Sequence, residues 1–387
     1  MERSKALPSA AGADGGARAL KRTLSAIAPH FGLHGRLVGA IALRGGHIHD
    51  TFVATYVQGN QSARYVHQRI NQHVFPQPER LMENIARVID HLREKLRIER
   101  APDPARRALT LVRTENGKSY YVDQQGAYWR TYVYIEGTCT HDTVDTPDLA
   151  RRAGAAFGRF EHMLADLPGP SLHETIRHFH DTRRYYRALC RAVTGDEHDR
   201  AISARSEIDL VMKRESIVDL LRGSQVRGEL VERVVHNDSK INNVLFDIAS
   251  SEAICVIDLD TVMPGLVMHD FGDLARTSLS PSAEDERDLT RVYVRLPVFA
   301  ALVEGYLETA TPFLNACEID LLPAAARMIT FETGMRFLMD YLEGDRYFKA
   351  RYPSHNLARA RNQFRLLQSM EQQQDAMSAI VERVRRG

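Results

Sequence analysis

The residue pattern changes its period once, near residue 140, and that change limits the fold more than any single motif. From about 36 to 136 the chain runs in short segments rich in β-branched and aromatic residues, "RLVGAIAL", "DTFVATYV", "ARYVHQRI", "ALTLVRT", "SYYVD" and "AYWRTYVYIEG", broken by Gly and Asn. One helix interrupts them, "PERLMENIARVIDHLREKL", with Leu81, Ile85, Val88, Ile89 and Leu92 at helical spacing. From about 147 the pattern is helical, beginning "PDLARRAGAAFGRFEHMLADL" and continuing near 203 to 222, 284 to 310, 322 to 343 and 356 to 385. Within that region "NVLFD" and "AICVIDLD", separated by the polar "IASSE", read as a hairpin. The expected fold is α+β and two-lobed. A small antiparallel sheet with one main helix fills 19–136, and a mostly helical lobe carrying the hairpin fills 137–387. Residues 1–18, rich in Ala, Gly, Pro and Ser, read as a flexible tail.

Composition removes several function classes. The 51 basic and 50 acidic residues among 387 create no overall field for nucleic acid or an anionic membrane, so any anion must be held locally. No run of about 18 apolar residues is present to span a bilayer. Cys139, Cys190, Cys255 and Cys317 form no CxxC or Cys/His cluster, which points away from zinc and from a disulfide framework and fits a reducing cytoplasm.

The polarity is concentrated instead in His236-Asn237-Asp238-Ser239-Lys240-Ile241-Asn242-Asn243, just before the hairpin. Phosphoryl transfer needs an oriented nucleophile and cations held against the phosphates, since most of its catalysis is positioning and charge stabilisation. In protein kinases a base Asp stands five residues ahead of a metal-binding Asn, and a later Asp supplies a second metal ligand. Asp238 and Asn243 have that spacing, and the hairpin would return Asp258 beside them. The plainer alternative is a turn with Asx hydrogen bonds. A literal "DFG" at Asp270-Phe271-Gly272 competes for the metal role, but it follows Asp238 by 32 residues, against a hairpin's 20 for Asp258. Asp270 opens a helix-like segment and is assigned to bracing the loop or capping the helix.

With "GGHIHDTF", "YVHQRINQHVF", "VVHNDSKINNVLFD", "VIDLDTVMPGLVMHDFGDLAR" and "GMRFLMDYLEGDRYF" in this order over about 38 to 365, the chain resembles the aminoglycoside phosphotransferase and choline kinase superfamily, which has a protein-kinase-like fold. Within it the resemblance is closest to N-acetylhexosamine 1-kinases. It implies ATP and Mg²⁺ as cofactors and a small-molecule sugar as substrate. It also implies that Asp238 is the base or orienter, Lys240 lies near the transferring phosphate, and Asn243 and Asp258 bind the metal. His236 is expected to brace the loop.

The same resemblance gives Gly45, Gly46 and His47 a nucleotide-covering role, with a plain hairpin turn as the alternative. Where kinases carry a lysine on the third strand, this chain has Gln68 and Arg69, only one of which can point inward. Glu83 is the possible partner of that position. Arg336 and Tyr347 match the sugar-holding arginine and tyrosine, although Arg336 also has a possible structural ion-pair partner in Asp340 at i+4. The function expected is thus an N-acetylhexosamine kinase acting at the anomeric hydroxyl. The alternatives are a kinase of another small metabolite and a non-catalytic nucleotide-binding protein.

Overall fold

The computed structural model describes residues 10–43 and 48–386, the side chains of 10–18 excepted. The chain divides into two compact units, one holding residues up to Asp90 together with Leu109–Glu136, the other His91–Ala108 with everything from Gly137. The division falls inside a helix, so the main helix of the strand-rich region belongs to both.

In the first unit, α1 (Ala10–Ile27) precedes β1 (Arg36–Ala42), β2 (Asp50–Gln58) and β3 (Gln61–Arg69). Next come α2 (Pro78–Ile98), the short α3 (Pro104–Arg107) of the second unit, β4 (Tyr121–Val122) and β5 (Tyr128–Val133). The strands form one antiparallel sheet in the order β1-β2-β3-β5-β4. β2 and β3 pair without a slip from Asp50 opposite Arg69 to Gln58 opposite Gln61. Leu24, Ile27, Ala28 and Phe31 pack with Ala54, Tyr56 and Trp129 into one cluster. Each fully buried Leu or Ile contributes roughly 1.5–3 kcal/mol there. This burial anchors α1, which starts at Ala10 and so extends into the stretch expected to be a tail. "ALTLVRT" runs alongside β5 but makes only an isolated bridge, Leu111 to Tyr132, and no strand of its own.

The second unit begins its own sheet with β6 (Thr138–Cys139), followed by α4 (Pro147–Leu164), α5 (Thr182–Gly195), α6 (Arg205–Met212) and α7 (Arg222–Val226). β7 (Arg233–Val235), β8 (Val244–Asp247), β9 (Ala253–Val256) and β10 (Met263–Gly265) surround the polar loop. The helices α8 (Val267–Leu279), α9 (Leu296–Ala310), α10 (Ala316–Asp320), α11 (Leu322–Leu342), α12 (His355–Gln372) and α13 (Gln374–Arg386) complete it.

Several expected boundaries shift for local reasons. The helix expected over 203–222 is broken: α6 ends at Met212, and a short 3-10 turn over Glu215–Asp219 separates it from α7. The 284–310 helix starts only at Leu296, where a proline occupies the first turn. The hairpin is present as β8 and β9. The two-strand ribbon of β7 with β10, each three residues long, and the whole of α5 are additions that the sequence did not suggest.

α4 and α9 touch backbone to backbone. A side chain at Gly154 would meet Tyr306 N at 2.9 Å, and one at Gly158 would meet Tyr306 O at 2.7 Å. No helix among the described residues is long and apolar enough to cross a membrane. All four cysteines are free.

Candidate active site

The polar loop leaves β7 at Val235 and joins a second sheet at β8, and its shape is fixed mainly from below by Asp270. This carboxylate is fully buried on α8 and accepts the amides of His236, at 2.6 Å, and Asn237, at 2.5 Å. Asp270 therefore braces the loop, as one of the two expected roles had it, and it does not cap the helix, which begins three residues earlier at Val267. Asn237 is held in the left-handed region at φ +64°, and its Nδ2 donates to Thr261 O at 3.0 Å. A side chain on Gly265 would come within 2.8 Å of Asn237 Oδ1, so the β10 position opposite the loop requires glycine.

His236 is also a brace. Its ring stands edge-on to Phe157 and Phe160, with centroids at 5.5 and 5.7 Å. Nε2 donates to Ile257 O at 2.9 Å and Nδ1 accepts from Asp238 N at 3.3 Å, which uses both ring nitrogens.

Asp238 thus leaves the loop with its backbone fully directed. Its Oδ1 lies 2.6 Å from Lys240 Nζ. Burial alone would raise the Asp238 pKa, but the ammonium outweighs it and holds the carboxyl below its ordinary value. Lys240 is held above its own ordinary value by the same pairing, against burial, with Asp273 adding to it. Asp273 is itself buried and bonded to Arg276 at 2.7 Å, and Arg276 reaches Glu284 at 2.6 Å. Paired this way, Asp238 is a weak base and a strong hydrogen-bond acceptor, suited to aiming a hydroxyl.

Asn243 Nδ2 donates to Asp238 O at 2.8 Å and to Asp238 Oδ2 at 3.2 Å. No donor among the described residues reaches its Oδ1. The amide of Ile257 donates to Asn243 O at 2.9 Å, which ties the residue before Asp258 to the loop. Asp258 does not end the strand, since β9 stops at Val256. It sits exposed in a turn at φ +64°, a conformation that Asp tolerates better than most residues. The amide oxygen of Asn243 and the carboxylate of Asp258 are hard oxygen donors from adjacent segments. Mg²⁺ typically takes one or two protein ligands and fills its octahedron with water and phosphate oxygens. The donor set fits that ion.

A second layer, absent from the sequence expectations, comes from the turn before α5, the start of α5 and α11. His180 Nε2 donates to Asn237 O at 3.1 Å and Nδ1 to Glu332 Oε1 at 2.8 Å. Two acceptors require two ring protons. Burial opposes the charge, but Glu332 prevails and holds the pKa of His180 above its ordinary value. Thr182 Oγ1 donates to the other oxygen of Glu332 at 2.5 Å. One turn further along α11, Arg336 lies among the rings of Phe179, Tyr185, Tyr347 and Phe348, at 5.1, 5.1, 5.9 and 5.7 Å from their centroids. Burial opposes its charge, but Tyr185, Tyr347, Glu332 and, last, Asp238 favour it and hold its pKa above the ordinary value. Asp340, the possible ion-pair partner, is spent elsewhere: it accepts the amides of Arg346, Tyr347 and Phe348 at 2.9, 2.7 and 2.9 Å. Those three bonds fix the turn that carries Tyr347, whose ring is more than half exposed. Among the described residues no carboxylate pairs with Arg336.

In the first unit, Gly45, Gly46 and His47 lie outside the described residues. Of the β3 pair, Gln68 is the inward residue. Its Nε2 donates to Thr51 Oγ1 at 3.0 Å, and its Oε1 accepts from Arg130 Nε at 2.8 Å. Arg69 is exposed and paired with Asp50 on β2. Arg130 is 1% exposed, and its position in an otherwise uncharged strand, "YWRTYV", is the signal that could have singled it out. Glu83 stands at an exposed position of α2, one residue before the buried Asn84.

Comparison with known proteins meets this geometry. The chain is similar to a choline/ethanolamine kinase family protein from Mesorhizobium loti, at 15% identity and a TM-score of 0.56 over 96% of this chain and 99% of that one. It is similar to spectinomycin phosphotransferase APH(9)-Ia in complex with ADP and spectinomycin, at 12% identity and 0.56 over 91% and 98%. An aminoglycoside phosphotransferase from Alicyclobacillus acidocaldarius matches at 14% and 0.54 over 100% and 97%. At such identities these likenesses establish the fold, that of the protein-kinase-like phosphotransferases. The family model described as phosphotransferase enzyme family, APH, matches residues 39–302, well over half of the sequence, from within β1 through the polar loop and its hairpin into α9. The chain belongs to the APH phosphotransferase enzyme family.

Proposed function

We propose that the protein is an ATP- and Mg²⁺-dependent kinase that transfers the γ-phosphoryl group to the anomeric hydroxyl of an N-acetylhexosamine. The observation that carries the acceptor class is Arg336. Its guanidinium has no carboxylate hydrogen-bonded or ion-paired to it among the described residues, lies among four aromatic rings and feels the charges of Glu332 and, more weakly, Asp238. A guanidinium offers five donors in a fixed fork, and unspent donors near a nucleophile-orienting carboxylate suit a ligand rich in oxygen acceptors. The same charge repels a cationic acceptor such as choline or an aminoglycoside, for which anionic or vacant aromatic walls are needed. The anomeric position rests on the resemblance to N-acetylhexosamine 1-kinases.

On this reading Asp238 accepts the acceptor hydroxyl's proton in a hydrogen bond and aims its oxygen. Lys240 places a positive charge beside the phosphoryl oxygens, and Arg336 and Tyr347 hold the sugar. Asn243 and Asp258 would hold Mg²⁺, which when bound neutralises phosphate charge. In the first unit the nucleotide contacts would fall to Gly45, Gly46 and His47, outside the described residues, and to Gln68. Arg130, behind Gln68, then supplies the positive charge that the missing strand-three lysine would carry.

Arg336→Ala should lower kcat/KM for the sugar by about 10- to 100-fold, the worth of one to two charge-assisted hydrogen bonds. Tyr347→Phe should have a smaller effect, and the KM for ATP should move little in either variant. Steady-state kinetics with each substrate varied in turn checks this. An unchanged sugar kcat/KM in Arg336→Ala removes the residue from the acceptor site.

A further inference from the structure

Glu161 lies on α4 at 1% exposure, on the helix face that also carries Phe157, Phe160 and Leu164. Tyr306 Oη, on α9, donates to its Oε2 at 2.5 Å. Its Oε1 is buried, and no donor among the described residues reaches it. The group that acts on it is a second buried carboxyl, that of Asp270, with both oxygens already committed as acceptors of the His236 and Asn237 amides. We propose that Glu161 is a positioning residue for phosphoryl transfer, a clamp held by Tyr306 that hydrogen-bonds Asp270 and thereby fixes the amides from which Asp238 hangs. Nothing else on α4 touches the loop through a polar bond of this kind; Phe157 and Phe160 reach it through the ring of His236.

The bond needs a proton, and the geometry says where it is. Two carboxylates in dry contact do not both ionise. Both Asp270 oxygens already accept backbone amides, and Glu161 Oε1 is buried with no donor among the described residues, so a hydrogen bond between the two groups forms only with a proton on Glu161, which turns the orphaned Oε1 into a donor. Burial first, and then the charge of Asp270, push the Glu161 carboxyl well above the usual carboxylate range. The other groups facing it do not reverse this. Arg233 on β7 is already paired with Glu318 of α10, and the Tyr306 phenol is itself raised by burial and by Glu161. The near contact of α4 and α9 at Gly154 and Gly158 is what brings Tyr306 within reach.

This role rests on the phosphotransferase reading but not on the identity of the sugar. The test compares wild type with Glu161→Gln and Glu161→Leu. Glutamine can donate to Asp270 and accept from Tyr306 without any proton to lose, whereas leucine can do neither. Turnover of Glu161→Gln should stay within about threefold of wild type. Glu161→Leu should lose roughly 10- to 100-fold in kcat through a misplaced Asp238, with the KM for ATP nearly unchanged.

Melting temperature against pH supplies a readout that needs no acceptor. A carboxyl raised in the folded state contributes fully below its unfolded pKa, and that contribution is lost as pH rises toward the folded value. Wild type should therefore fall behind Glu161→Gln by roughly 1–2 °C per pH unit from about pH 4.5 upward. Parallel melting curves, or a Glu161→Gln variant as impaired as Glu161→Leu, overturn the proposal. Absence of transfer by the wild type to any acceptor would overturn the phosphotransferase reading and the positioning role together, while the melting comparison would still report the proton on Glu161.

Discussion

Asp238→Asn should cut turnover by roughly a hundredfold or more while leaving melting temperature and nucleotide affinity close to wild type. The asparagine keeps the shape of the side chain, and the backbone of residue 238 is held independently by His236 and Asn243. What it loses is the charge. Lys240, paired to Asp238 at 2.6 Å, would then face an amide, and the acceptor hydroxyl would meet either a neutral oxygen or an NH₂ group. Because the carboxyl is held below its ordinary pKa, activity should not fall on an acid limb until pH drops below the usual Asp range, so the pH profile near neutrality reports other groups. Single-turnover measurements with saturating nucleotide check the prediction. Turnover near the wild-type value would remove Asp238 from the mechanism.

Asp270→Ala should be the most destabilising single change among the residues that shape the loop. It strips the acceptor from two buried amides, each of which costs roughly 1–3 kcal/mol when left dry, so an overall loss of about 2–6 kcal/mol is expected. Activity should fall with it, through loss of the loop's shape. Asp258→Asn should show the opposite pattern. That side chain is exposed and asparagine tolerates the left-handed turn, so melting in the absence of ligand should be unchanged, whereas Mg²⁺-dependent nucleotide binding should weaken. Thermal melting with and without ligand, alongside nucleotide titrations at several Mg²⁺ concentrations, separates the two. A swapped pattern would make the literal Asp-Phe-Gly the metal motif.

What the sequence disclosed about this site is what lies close along the chain. Asp238, Lys240 and Asn243 sit within six residues, and one short hairpin ties Asp258 to them, so turn and strand chemistry were enough to bring them together. The bracing layer is non-local. Asp270, Glu161 and Tyr306 come from three helices, and Glu332 reaches the loop through His180, in the turn that leads into a helix no pattern announced. Two of these did leave a trace. Glu161 interrupts the apolar face of Phe157, Phe160 and Leu164, and Glu332 falls on the same face of α11 as Ile329 and Met335. A carboxylate at an apolar helical position demands a buried partner. The choice between Gln68 and Arg69 could not be made from alternation alone, because it depends on Arg130 lying opposite on β5, sixty residues away in the chain. Asp340 shows the converse error. Its i+4 spacing from Arg336 suggested an ion pair, but three backbone amides of the following turn claim it first.

The central claim is that the anomeric oxygen of an N-acetylhexosamine is the acceptor, and phosphorus NMR of the reaction mixture tests it most directly. Purified protein with ATP and Mg²⁺ would be offered N-acetylglucosamine and N-acetylgalactosamine, their 1-O-methyl glycosides, choline and kanamycin. The expected result is a sugar 1-phosphate resonance, coupled to the anomeric proton, from at least one free N-acetylhexosamine and no transfer to the blocked glycosides or the cationic acceptors. Phosphorylation of a methyl glycoside would contradict the anomeric assignment, and transfer to choline or kanamycin with none to any sugar would contradict the acceptor class itself.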